Sequence, residues 1–98
     1  MRLENIIVSY RLMRRATSLG ILLQEKEVTY ENLSEYPLLE AEFKTIGTEG
    51  EMLANKFTKL EITLGIYGAF FKESKRFKTA NKYIKQNLVT YCKVKDNY

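Results

Sequence analysis

The chain has 98 residues, enough for one core and too few for two, which excludes enzymes that work in a cleft between domains. Its 45% apolar residues, single proline and 29% charged residues of both signs place it among globular chains, outside the disordered and collagen-like classes. It has no histidine, which removes imidazole bases, catalytic triads, Cys–His pairs and nearly all zinc geometries.

The one cysteine, Cys92, allows no intramolecular disulfide and fits a reducing, cytoplasmic setting. Beside Lys93, with no histidine or resolving cysteine, it reads as a small half-buried apolar residue. Ile6, Ile7 and Val8 are too short a run for a signal core and are followed by Arg11, Arg14 and Arg15. The longest apolar run, Leu60 to Phe71, contains Glu61 and falls short of the roughly 20 residues that cross a bilayer.

Charge is segregated along the chain, whose net charge is +4. Residues 1–23 carry four basic and one acidic side chain, residues 24–51 two and eight, and residues 52–98 ten and three. Basic ends therefore flank an acidic middle.

In chain order, the first segment is apolar on two faces. Leu3, Ile6, Ile7, Tyr10, Met13 and Thr17 form one helical stripe, and Val8, Leu12, Leu19 and Leu23 form a second nearly opposite. Such a helix is sandwiched, either at the centre of a bundle or in the seam of an oligomer. In the acidic middle, Thr29 is expected to cap a short helix with Val28 and Leu33 as the staple pair. Pro37 restarts the chain into a helix carrying Leu38, Leu39, Phe43 and Ile46, with Gly47 as its stop. A helix-turn-helix over residues 28–46 is rejected, because its recognition helix would carry Glu40 and Glu42 against only Lys44.

Leu53, Phe57, Leu60, Leu64, Tyr67 and Phe71 step by four and three, the spacing of a coiled-coil seam. Thr48 and Glu51 have the capping-box spacing and are taken as the start of this helix. Leu60, Ile62, Leu64 and Ile66 also alternate at period two, and Gly65 and Gly68 each cost a helix about 1 kcal/mol. Six seam positions outweigh four alternating ones, so helix is expected. Phe57, Leu60 and Leu64 are placed in the core or in a partner-facing seam. The glycine pair encloses apolar residues, Ile66 and Tyr67, unlike the clamp of RNA-binding GxxG loops, and points to close helix packing.

The final helix is expected over residues 74–91 with Ser74 as N-cap. Phe77, Ala80, Ile84, Leu88 and Tyr91 share one face; Lys75, Lys78, Lys82 and Lys85 stand opposite, with Lys72 and Arg76 at the margin. The stripe changes phase between Phe71 and Phe77, which implies a tight turn at Glu73 and Ser74. The expected fold is all-α, a small antiparallel bundle of four to five helices, with one helical domain over residues 1–92 and a frayed polar tail over 93–98.

Two charged constellations are candidate sites. Lys72, Lys75, Arg76, Lys78, Lys82 and Lys85 form a basic face of the kind that contacts a phosphate backbone or an acidic patch, with Tyr83 beside it as a stacking group. Lysine dominates over arginine, which argues against base reading. Glu27, Glu31 and Glu35, at i, i+4 and i+8, would form a like-charged helical ridge that calls for a cationic counterpart, either the chain's own lysines or a basic partner. No cofactor, metal site or catalytic residue is assigned. The expected function is non-enzymatic binding of another protein, of inhibitor, immunity or regulatory type, with homo-oligomerisation open. The alternative is a nucleic-acid-binding accessory protein using the basic helix face.

Overall fold

The computed structural model describes residues 1–88, and Tyr91, Cys92 and the 93–98 tail lie outside the described residues. Four α-helices pack against one another, with no strand among the described residues. They are α1 (Leu3–Glu25), α2 (Pro37–Lys56), α3 (Lys59–Lys72) and α4 (Ser74–Asn87), with a 3-10 turn at Leu33–Glu35 between α1 and α2.

The two-faced N-terminal pattern is explained by position, because α1 is the central helix and touches each of the other three. Arg15 of α1 reaches Glu42 and Glu49, while Val8 and Leu12 line a groove with Met52 and Leu53, so α2 runs back along α1. α3 and α4 then return in the direction of α1. Arg2 meets Glu61, Ser9 meets Gly65, Arg14 meets Glu73, and Gly20 meets Ala80. The predicted break at Glu73 is the hinge between α3 and α4, yet Ser74 is the first residue of α4 and does not cap it. Glu73 holds the N-cap position, and its carboxylate goes to Arg14 and Arg76.

α1 ends in a Schellman motif. The N–H of Val28 donates to the Leu23 carbonyl at 2.9 Å and that of Glu27 to the Gln24 carbonyl at 3.0 Å. Glu27 itself adopts the left-handed conformation, φ 54°, where glycine is usual. The motif's apolar pair is Leu23 and Val28, both with no exposed surface. Together with Leu19, Leu33 and Leu88 they make the core, against which Tyr36, Leu39, Phe43, Ile46, Tyr83 and Ile84 pack. Val28 and Leu33 are thus buried as expected, though the segment between them is a turn closed by Asn32 Oδ1 accepting from the Thr29 N–H.

Pro37 begins α2 as predicted, but Gly47 does not end it and Thr48 does not begin a new helix. Both lie inside α2, where the backbone N–H groups a capping box would satisfy already have helical partners. The capping box forms ten residues later. Thr58, extended at ψ 156°, accepts from the Glu61 N–H, and the Glu61 carboxylate accepts from the Thr58 N–H at 2.8 Å.

Candidate docking surface

α3 presents four of its large apolar residues outward, with Ile62, Ile66 and Phe70 half-buried. It buries Glu61, Gly65 and Ala69 against α1, while Leu60, Leu64, Tyr67 and Phe71 are 54%, 38%, 57% and 83% exposed. Helix packing distance decides this. A Cβ on Gly65 would lie 2.5 Å from Ser9 Cβ and 2.8 Å from both the Ile6 carbonyl oxygen and the Tyr10 nitrogen. No large side chain fits between backbones that close, so the seam-spaced stripe must take the opposite side. Of the two placements expected for Leu60 and Leu64, the core of this chain is therefore ruled out and the partner-facing seam is left, while Phe57 is half-buried. The signal that identifies the packed face is the small-residue set Gly65, Gly68 and Ala69: Gly65 meets Ser9 and Gly68 the Tyr10 ring of α1, and Ala69 is buried. Gly20 repeats the device on α4, with its hypothetical Cβ 2.6 Å from that of Ala80.

The carboxylates on α3 and at its C-terminal hinge are already engaged. Glu61, 3% exposed, accepts from the Thr58 N–H, from the Arg2 N–H at 2.7 Å and from Asn5 Nδ2 at 3.0 Å. These donors, the Thr58 amide foremost and then that of Arg2, hold its pKa down to about 2. Glu73 accepts from Arg14 at 3.2 Å and Arg76 at 2.7 Å, and the Arg14 hydrogen bond is the main cause of its lowered pKa. The same bond raises the pKa of Arg14.

The predicted basic face exists in part as drawn. Lys75, Arg76, Lys78, Lys82 and Lys85 are exposed on α4, whose other side buries Ala80, and Lys72 is exposed at the end of α3. Arg76 is bound to Glu73, and Lys78 Nζ lies 5.5 Å from the centre of the Phe70 ring. The other four carry no ion pair among the described residues. Tyr83 does not join them as a stacking group. It is half-buried and donates its hydroxyl hydrogen to the Val28 carbonyl, and burial, with a smaller contribution from Glu27, raises its pKa.

The acidic ridge is corrected. Glu27 occupies the left-handed stop of α1, Glu31 lies in the following turn and Glu35 in the 3-10 segment, so no continuous helix aligns them. None of the three is in a salt bridge among the described residues, and the lysine face does not neutralise them. The ion pairs that tie α1 to the other helices use its arginines: Arg14 with Glu73, and Arg15 with Glu42 at 2.7 Å and Glu49 at 2.6 Å. Arg15 crosses the open groove between α1 and α2, about 820 Å³ in volume and floored by Leu19, Leu22 and Leu39.

No family model matches the chain, and neither a curated protein nor a solved structure does. Among the described residues no group of three His, Cys, Asp or Glu side chains is placed to hold a metal ion. No described helix is long and apolar enough to cross a membrane. What the geometry does offer is a narrow apolar ridge on one rigid helix, with Lys59 next to Leu60 at one end and Lys72 next to Phe71 at the other, all four exposed.

Proposed function

We propose that this protein acts without catalysis, by binding another protein through the α3 ridge of Leu60, Leu64, Tyr67 and Phe71. The observation that carries the reading is their exposure, 38% to 83%, in a contiguous seam-spaced row on a helix whose opposite face is already packed. Rows of large apolar side chains on a soluble surface mark interaction sites, because leaving them in water forfeits the free energy of burying them. The spacing suits a helical partner, whose side chains would interdigitate with a 4-3-4 row. An inhibitor, immunity or regulatory role in a reducing, cytoplasmic setting accords with so small a binding module.

A second reading, nucleic-acid binding through α4, draws on the exposed Lys75, Lys82 and Lys85. The two separate in one experiment. Tagged wild-type protein and its Leu60→Gln/Phe71→Gln variant are each used to capture partners from lysate of the source cell, with and without nuclease treatment. A protein retained by wild type and lost with the variant supports the ridge. Capture that survives the variant but disappears with nuclease supports the alternative.

A further inference from the structure

We propose that the segment seated on the α3 ridge is an acidic amphipathic helix of the partner, an inference that rests on the protein-docking reading above. The argument is charge complementarity at the ridge's own ends. Lys59 precedes its first residue and Lys72 follows its last, each about 100° round the helix from its neighbour and on opposite flanks of the row; Lys56 and Lys75 lie three residues further along the chain, and all four are exposed. The anions of α3 and its hinge are withdrawn from the surface field. Glu61 is buried in its amide donors, and Glu73 is held by two guanidiniums. A partner helix therefore meets apolar side chains in the middle and, flanking each end, lysines that carry no ion pair among the described residues, whichever way it runs. Carboxylates flanking its apolar row satisfy that arrangement, and lysines there would be repelled.

The same charges disfavour a second copy of this chain. If two α3 ridges packed antiparallel, Lys59 of each would face Lys72 of the other; if parallel, like would face like. A single-stranded nucleic acid would match the cations and could stack on Tyr67 and Phe71. Leu60 and Leu64, half of the row, would be left without a stacking partner. An anionic bilayer calls for a broad apolar face, whereas this row is bordered by Thr63 and Gly68, and Phe70, edge-on to Phe71, is half-buried.

The test uses three synthetic helical peptides of roughly 18 residues with leucines at 4-3-4 spacing and Glu, Gln or Lys at the flanking positions. Binding to the full chain is read by fluorescence anisotropy. The Glu peptide is expected to bind at least about tenfold more tightly than the Gln peptide, and the Lys peptide not at all. Lys59→Gln/Lys72→Gln should reduce the Glu peptide to the Gln level, and Leu60→Gln/Phe71→Gln should abolish both.

Equal binding of the Glu and Lys peptides would overturn the proposal, as would Glu-peptide binding that ignores the ridge variant. So would ridge-dependent binding of phosphatidylserine vesicles, of a single-stranded oligonucleotide or of a second copy, seen by sedimentation, with no peptide bound. The two readings fail separately. Lysate capture that needs the ridge but not Lys59 and Lys72 leaves protein docking standing and removes the acidic partner, whereas capture that needs neither removes both.

Discussion

Glu61 Oε2 accepts the backbone N–H of Arg2 at 2.7 Å, so one carboxylate fastens the N-cap of α1 to the first turn of α3. The same side chain closes the α3 capping box through Thr58, and thereby sets the direction in which α3 leaves α2. Because α3 is anchored here at its N-terminus and at Glu73 at its C-terminus, its outward face is held rigid.

This linkage has a defined pH dependence. The Glu61 pKa falls from an ordinary 4.5 in the unfolded chain to about 2 in the folded one. A carboxylate with a depressed folded pKa contributes stability that is fully present above the unfolded value and is lost as pH falls toward the folded one. Melting temperature followed by circular dichroism should therefore drop between about pH 5 and pH 2. Glu61→Gln should melt lower than wild type at pH 7, and the gap should narrow through that window. A gap that stays constant with pH would contradict the assignment.

Two glycines in helices should respond to alanine with opposite signs. A methyl group added at Gly50 in α2 would have nothing within 4 Å, so Gly50→Ala should stabilise by up to about 1 kcal/mol through helix propensity. Gly65→Ala gains the same propensity but pushes a methyl into Ser9 and the α1 backbone, and overpacking costs about 1 to 3 kcal/mol. Urea denaturation of the two variants tests how closely α1 and α3 approach. Stabilisation by both would mean that the two backbones are not in contact at Gly65.

Leu23 and Leu60 form a second contrast. Leu23 has no exposed surface, and Leu23→Ala should cost about 2 to 5 kcal/mol. Leu60 is 54% exposed, and Leu60→Ala should change stability by less than about 0.5 kcal/mol while weakening any partner that uses the ridge. A large loss from Leu60→Ala in the isolated chain would return the stripe to the core.

Glu27 sits at φ 54°, a conformation that costs a non-glycine residue about 1 to 2 kcal/mol. Relief of that strain exceeds the extra entropy glycine has in the unfolded chain, so Glu27→Gly should stabilise by about 0.5 to 1 kcal/mol. Thermal unfolding measures it. Destabilisation instead would point to a role for the Glu27 carboxylate beyond helix termination.

Local pattern alone specified the helical character of the chain, the double-faced α1, Pro37 at the start of α2, the bend at Glu73 and the lysine side of α4. Each of these follows from periodicity or backbone restriction, which act within a few residues and are visible in the order of side chains. The capping-box spacing at Thr48 and Glu51 points to a helix start that the structure puts ten residues later, where the same spacing recurs at Thr58 and Glu61. Only the tertiary structure decides between two such signals, since a cap forms where the chain has to turn.

Tertiary structure also decided which face of α3 is inside. An apolar stripe records that a surface is suited to burial, and it carries no record of what buries it. Against α1 the closeness of two backbones outweighed side-chain size, so Gly65 and Ala69 went inward and Leu60, Leu64, Tyr67 and Phe71 stayed in water. The acidic spacing of Glu27, Glu31 and Glu35 likewise implied a ridge only on a continuous helix. A glutamate in the left-handed conformation ended that helix where no glycine announced it, because the burial of Leu23 with Val28 outweighed the local strain.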